Sequence, residues 1–370
     1  MDLNVDREQE QLIRTARQFV ERRFPLAEQA GVTNGDVDSR DALGQVAELG
    51  WSAMIVPDEL GGAGGSLVDL ALVAEELGRG GVVSPILGSQ VVALTLAEAG
   101  GEHAELIGSI AEGTSIATSA LLEPGPGSEW SERSTTGTAV DGGWSLHGSY
   151  SLVPYGHEAD VVLLDADLEG RGRSLLLVRL PVAGATATRQ RVIGSEPRAA
   201  LRLDGVTVPT ADVLPVATDD VQGVLDLLLD RNAVLQSAHA VGACEGALQL
   251  SVQYAKDREQ FGRVIGSFQT IANRCADMRL GIDAARLLTW EAAWSVETGH
   301  AQAAERVSVA KTYLNGVGDT VTVNSHQVHG AIGYSTEYPL HIFTRHVKAY
   351  QTSYGTNAIH LERIAQAIGL

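Results

Sequence analysis

The spacing of apolar residues along the chain changes twice. Over residues 1–114, apolar side chains recur every three or four positions, as in Leu12, Ala16 and Phe19, with Gly and Pro between the runs. This period predicts a domain of helices. Over residues 115–216 the runs are short and alternating and are bounded by Gly, Asp and Pro, which predicts a small β domain.

The last part of the chain, residues 217–370, returns to helical spacing in unusually long runs. One apolar stripe steps by threes and fours from Phe268 to Leu288, and a second runs from Val307 to Val328. Stripes of this length need facing partners, which predicts a bundle of four long, nearly antiparallel helices. The expected fold is therefore α+β and mainly α, with a β-barrel-like middle domain between an N-terminal helical domain and a C-terminal four-helix bundle.

Composition limits the functions that this fold could carry. The formal net charge of −19 argues against a nucleic-acid surface and against binding to an anionic membrane. There is no secretory pattern at the start and no apolar run of transmembrane length, so a cytoplasmic location is expected. The two cysteines, Cys244 and Cys275, lack a Cys or His at metal-ligand spacing, which predicts core residues and no metal site.

Two segments carry residues suited to holding a diphosphate. Arg258 ends a helical pattern and is followed by a Phe-Gly break at Phe261, so a guanidinium fork could face phosphates while the ring packs beside it. In the second segment, residues 327–333, Gly330 and Gly333 permit close backbone approach of a ligand beside a Gln amide. On its own residues, the first segment is better interpreted as a plain helix-turn-helix with a solvated Arg.

These segments resemble the acyl-CoA dehydrogenase family, and the resemblance extends over nearly the whole chain. Residues 51–62 are similar to the family's GW…VPEEYGG stretch, residues 123–129 to its EPGAGSD loop, and residues 204–209 to its DVFVP strand. Motifs in the right order and at the right intervals are far more specific than a lone Gly-rich loop. The resemblance implies a homotetramer-like fold, FAD lying across a dimer interface, and α,β-dehydrogenation of an acyl-CoA thioester.

The chemistry implied by this family requires a carboxylate that removes the α proton and a flavin that accepts the β hydride. The family's base is usually the Glu of a YEGT motif, and here residues 353–356 read Ser-Tyr-Gly-Thr, which places Tyr354 at the Glu position. Some relatives carry the base at the start of a long helix instead. The one carboxylate near that position, Asp230, is two residues out of register, so a solvated or ion-paired Asp is expected there.

The flavin contacts implied by the resemblance are lost on one side of the cofactor and kept on the other. Leu122, Leu152 and Pro154 stand where a Thr, a Trp and a Thr would hold the isoalloxazine ring, and Ala358 stands in place of a Gln. The cofactor-binding residues that the resemblance leaves in place are Arg258, Phe261, Gln327, Gly330, Ala331, Gly333 and Thr356. Those from Arg258 to Gly333 would reach the diphosphate and adenine side of a neighbouring subunit's FAD.

This division predicts a subunit of a heteromeric dehydrogenase. A paralogous partner would supply the base and the isoalloxazine pocket, as in the two-gene (α2β2) actinobacterial enzymes that act on steroid side-chain CoA esters. The implied partners are that paralogue, an acyl-CoA from lipid or steroid degradation, and an electron-acceptor flavoprotein. Two alternatives stay open: a homo-oligomeric dehydrogenase that uses Asp230 and a rebuilt flavin pocket, and a non-catalytic scaffold that binds an acyl-CoA.

Overall fold

The N-terminal part of the chain is a layer of α-helices. The computed structural model describes residues 5–26, 39–121 and 135–370. The helices described before the sheet are α1 (Arg7–Arg23), α2 (Ser39–Ala47), α3 (Leu67–Arg79), α4 (Ile86–Ala99) and α5 (Ala104–Ala111). Asp6 starts α1 because its carboxylate accepts hydrogen bonds from the backbone N–H groups of Glu8 and Gln9.

A curled seven-stranded sheet forms the middle of the molecule. Its strands are β1 (Ala117–Ala120), β2 (Thr136–Val140), β3 (Gly143–Pro154), β4 (Val161–Leu168), β5 (Gly172–Arg179), β6 (Ala185–Gln190) and β7 (Arg198–Pro209). The order is β1-β4-β2-β3-β7-β6, with β5 also paired to β4. The register of β3 against β7 shifts between Tyr150 and Val153, and Leu152 within this bulge has a left-handed φ of 55°.

Long helices make up the C-terminal part. They are α6 (Val221–Asp257), α7 (Gln269–Glu297), α8 (Ala303–His329), α9 (Leu340–Tyr350) and α10 (Asn357–Ala367). A hairpin of two short strands, β8 (Glu259–Gln260) and β9 (Arg263–Val264), joins α6 to α7. Helix α6 is central, since it contacts α3, α7, α8 and α9.

The predicted apolar stripes face the core over most of their length. Val307 and Val321 of α8 are buried, and so are Met278 and Ile282 of α7. At the start of α7 the stripe is only half-buried, at Ile271. The predicted fold class is confirmed, with its order of helices, sheet and helices. Among the described residues, no helix is long and apolar enough to cross a membrane.

Two glycines allow the N-terminal layer to pack directly on the bundle where α3 crosses α6. A Cβ atom added to Gly78 would lie 1.9 Å from the backbone oxygen of His239, and one added to Gly242 would lie 1.9 Å from that of Glu75. The two backbones therefore touch, which any side chain would prevent. Beside this crossing, Arg286 Nε of α7 donates to Glu75 Oε1 at 2.6 Å.

Candidate active site and cofactor surface

A cavity of about 230 Å³ lies between the sheet and the loop that joins α9 to α10. Leu152 and Pro154 of β3, Leu229 of α6 and Tyr354 of the loop contribute to its wall. Three of these positions are those at which the resemblance implies a Trp, a Thr and the catalytic Glu. The fold thus brings the replaced residues together at one cavity, where Leu and Pro side chains offer a cofactor no hydrogen-bond donor.

A buried ion pair in the cavity wall was not expected from the sequence. Arg198 donates hydrogen bonds to the carboxylate of Glu196, from Nη1 to the carbonyl oxygen of Leu152 at 3.1 Å, and from Nη2 to Ser353 Oγ at 3.4 Å. Glu196 lies in the bend before β7, two residues ahead of Arg198 at the start of the strand, and opposite charges this close along the chain could have revealed the pair. These bonds tie β3, the start of β7 and the loop after α9 together in this part of the wall.

Tyr354 lies against this ion pair and is poorly suited to act as a base. Burial raises the pKa of the Tyr354 hydroxyl to about 12, and the positive charge of Arg198 opposes the shift only in part. A hydroxyl with that pKa stays protonated at neutral pH. The residue also has a left-handed φ of 53°, and a ring nitrogen of His360, Nε2, lies 3.0 Å from its carbonyl oxygen.

Asp230 is ion-paired and does not line the cavity. Arg363 Nη2 of α10 lies 2.8 Å from Asp230 Oδ1 and 3.1 Å from Oδ2. Burial raises the pKa of this carboxyl group, and the adjacent guanidinium opposes that rise. This is the ion-paired arrangement expected from its position along the helix. Leu122 and the loop at 123–129 lie outside the described residues.

Most of the residues that the resemblance assigns to the cofactor lie at the end of the bundle where α6 and α8 terminate. The ring of Tyr254 in the last turn of α6 stacks on that of His329 in the last turn of α8, with centroids 4.7 Å apart, which places the two helix ends side by side. Arg258 and Gln327 are exposed here, and Phe261 is 93% exposed. The side chain of Arg258 has no hydrogen-bond or ion-pair partner among the described residues.

The segment that follows α8 forms a short 3₁₀ helix, Gly330–Tyr334. Gly330 ends α8 with a φ of 64° and ψ of −139°, and Ala331 beside it is exposed. Gly333 is buried, and an added Cβ there would lie 3.0 Å from the Cβ of His329. Thr356 is the exception among the retained residues, because it precedes α10 on the cavity loop, two residues from Tyr354.

The two regions differ in what they offer to a cofactor such as FAD. At the end of the bundle, an exposed guanidinium, an exposed aromatic ring and an amide fit the phosphates and rings of a dinucleotide. In the cavity, Leu152 and Pro154 have no side-chain donor, and the carbonyl oxygen of Leu152 already accepts a hydrogen bond from Arg198. At these two positions the cavity wall therefore offers the polar edge of an isoalloxazine ring no side-chain donor.

Comparison with known proteins gives one consistent result. Residues 6–105 match the N-terminal domain of acyl-CoA dehydrogenases and residues 224–369 match the C-terminal domain. Benzylmalonyl-CoA dehydrogenase of Aromatoleum aromaticum is 28% identical, covering 97% of this chain and 97% of its own.

Solved structures agree over the full length of the chain. Glutaryl-coenzyme A dehydrogenase in its glutaryl-CoA complex superposes with a TM-score of 0.92 at 26% identity, covering 100% of this chain and 97% of its own. The ChsE4-ChsE5 complex from Mycobacterium tuberculosis superposes with a TM-score of 0.88 at 27% identity, covering 100% of this chain and 99% of that chain. Both domains, the intervening sheet and these relatives lead to one conclusion: the chain belongs to the acyl-CoA dehydrogenase family, whose chemistry is flavin-dependent dehydrogenation.

Proposed function

We propose that this chain is one subunit of a heteromeric acyl-CoA dehydrogenase and completes the FAD site of a paralogous partner. The observation that carries the proposal is the contrast between the chain's two regions. At the end of the bundle, Arg258, Phe261 and Gln327 are exposed, and the guanidinium has no partner among the described residues. In the cavity, the replaced residue Leu152 has no side-chain donor, and its carbonyl oxygen accepts a hydrogen bond from Arg198. Such a chain is better suited to bind part of a neighbouring subunit's FAD than to hold an isoalloxazine ring in its own cavity.

Electrostatics favour the same assignment for Arg258. The chain has a net charge of −19, so an anionic diphosphate gains attraction only where a cation is locally presented. The planar guanidinium binds two phosphate oxygens at once, which the single ammonium of a Lys does not match. Arg258 would therefore hold the diphosphate, with Phe261 and Gln327 beside the nucleotide.

The partner would supply what this chain lacks. FAD, when bound, accepts the β hydride, and a carboxylate of the partner would remove the α proton. The similar ChsE4-ChsE5 structure supports this proposal, because it is a complex of two differently named chains. The substrate would be an acyl-CoA from lipid or steroid degradation, and an electron-acceptor flavoprotein in the cytoplasm would reoxidise the FAD.

The experiment compares the chain alone with the chain co-expressed with its paralogue. The isolated chain should be colourless, and the co-purified complex yellow. Arg258→Ala in this chain alone should leave the complex assembled but depleted in FAD, since removing one partner of a charged pair costs on the order of 2–5 kcal/mol. This corresponds to roughly thirtyfold to several thousandfold weaker FAD binding.

Excess FAD should restore much of the activity of this variant, because the partner's base is untouched. Arg202→Ala is a matched control, since Arg202 is an exposed Arg on β7 that lies outside the cofactor surface. Full flavin occupancy and unchanged flavin affinity in the Arg258→Ala complex would refute the proposal.

One observation keeps the self-sufficient dehydrogenase as a second candidate. Glu196, although paired with Arg198, is the one carboxylate among the residues described as lining the cavity, whereas Asp230 lies outside that lining and pairs with Arg363. In that case the isolated chain would be yellow and would oxidise an acyl-CoA unaided. Glu196→Gln should then abolish its activity, and Asp230→Asn should not.

A further inference from the structure

The hairpin between α6 and α7 holds its turn in an unusual backbone conformation. Glu259 pairs with Val264 and Gln260 with Arg263, so only Phe261 and Gly262 form the turn. Both turn residues have positive φ, 55° and 80°, as a type I′ turn requires. Gly adopts this conformation readily, but Phe rarely does, so surrounding contacts must hold Phe261 in it.

The ring of Phe261 is 93% exposed and yet has a defined support. It meets the ring of Phe268 edge to face, with centroids 6.1 Å apart and an interplanar angle of 87°. The guanidinium carbon of Arg263 lies 4.1 Å from the centroid of the Phe268 ring. Edge-to-face rings and a cation over a ring face are both attractive arrangements, so the three side chains support one another.

The base of the hairpin is tied to the residue that the proposed function depends on. The backbone N–H of Ile265 donates to the carbonyl oxygen of Arg258 at 2.8 Å. Movement of the hairpin would therefore displace the backbone of Arg258 together with Phe261. An arrangement fixed before binding loses less conformational entropy when the ligand arrives.

We propose that Arg263 and Phe268 are positioning residues that hold Phe261 and Arg258 in the geometry needed to bind the partner's FAD. The inference rests on the proposed function and extends it to two residues that need not touch the cofactor. Arg263 acts by covering Phe268, and Phe268 acts by supporting the edge of Phe261. Loss of either should loosen the hairpin before any cofactor binds.

The first measurement is amide hydrogen exchange across Glu259–Val264 in the isolated, folded chain. Arg263→Met should speed exchange of these amides about two- to fivefold, the factor expected for one exposed cation–π contact. Phe268→Leu removes both ring contacts and should speed exchange roughly tenfold. Arg263→Lys keeps a cation and Phe268→Tyr keeps a ring, so each variant should retain most of the wild-type protection of these amides against exchange.

The second measurement is FAD affinity of the complex with the paralogue. Arg263→Met and Phe268→Leu should also weaken FAD binding, by at most the factors by which they speed exchange, because apparent affinity falls with the fraction of chains whose hairpin is ordered. Arg306→Met is the matched control, because Arg306 also lies over an aromatic ring, that of Trp294 at 5.9 Å, but on another part of the bundle. It should leave hairpin exchange and FAD affinity unchanged.

The two measurements separate failure of this inference from failure of the proposed function. If hairpin exchange does not change in Arg263→Met and Phe268→Leu, these two side chains do not hold the hairpin, and the inference is overturned. The inference is also overturned if exchange accelerates while FAD affinity falls only in Arg258→Ala. If Arg263→Met, Phe268→Leu and Arg258→Ala all leave FAD affinity unchanged, the proposed function fails and the positioning role fails with it.

Discussion

Tyr354 stands where the family resemblance implies the catalytic Glu, and its hydroxyl differs from a carboxylate in its chemistry. Burial raises the pKa of its hydroxyl to about 12, so at neutral pH it cannot accept the proton that a Glu would remove. We expect Tyr354→Phe to leave kcat/KM of the complex with the paralogue within about twofold of wild type. Steady-state kinetics with an acyl-CoA substrate measures this.

Tyr354→Glu provides the complementary test at the same position. It should not create activity in the isolated chain, because Leu152 and Pro154 still offer the flavin ring no donor. A hundredfold loss in Tyr354→Phe, about 2.7 kcal/mol of transition-state stabilisation, would instead mean that the hydroxyl takes part in catalysis.

At the scale of single elements, α8 holds the cavity loop from the bundle side. Ser308, Lys311 and Asn315 are three and four residues apart, so they share one face of the helix. The ammonium of Lys311 is fully buried and donates to the carbonyl oxygen of Tyr350, and Asn315 Nδ2 donates to that of Gln351 at 3.3 Å. These bonds fix the loop that carries Tyr354 and Thr356.

Burial of Lys311 makes stability depend on pH. Burial lowers the pKa of Lys311 from 10.5 to about 7. Between these values the unfolded chain binds a proton that the folded chain does not, so the unfolding free energy rises with pH, by up to about 1.4 kcal/mol per pH unit. Lys311→Met removes this contribution. The stability of wild type minus that of the variant should therefore increase from pH 7 to 9, as measured by urea unfolding.

Lys256→Met is the control for this prediction, since Lys256 is exposed near the end of α6. Its difference from wild type should stay constant over the same range. His360, a neighbour of Lys311, does not interfere, because burial lowers the pKa of its ring to about 4 and the ring is neutral over this range. A difference between wild type and Lys311→Met that does not vary from pH 7 to 9 would show that the folded chain keeps this lysine charged.

At the scale of the whole molecule, α7 and α8 leave large apolar side chains uncovered. Leu280 is 70% exposed and Val323 is 64% exposed, on neighbouring helices. Apolar residues in such positions favour association with a second chain. We expect the chain to sediment as an oligomer at micromolar concentration, and Leu280→Glu combined with Val323→Glu to shift it toward monomer.

Val140→Glu is the matched control, because Val140 is an exposed apolar residue, 42% exposed, on β2 of the sheet and not on the bundle, so it should tolerate the charge without change in mass. Sedimentation velocity distinguishes the three samples. A stable wild-type monomer at micromolar concentration, alone and with the paralogue, would contradict the prediction.

The sequence by itself determined the features that depend on neighbours along the chain. Periods of 3.6 and 2 follow from backbone geometry, so the helices and strands could be predicted from apolar spacing. Local reasoning also found Arg258 and Phe261 within one motif, and the family resemblance then placed Asp230 out of register. It also located the replaced positions Leu152 and Tyr354 by their motifs.

Tertiary structure decided the features that depend on residues far apart in the chain. The bond from Arg198 to Ser353 joins residues 155 apart, and the contact of Gly78 with α6 depends on which helix crosses it. No local period encodes these contacts, because they arise from how complete elements pack. The exposure of a side chain has the same origin. The sequence shows that Phe261 is apolar, but only packing leaves its ring in solvent, where a second chain could reach it.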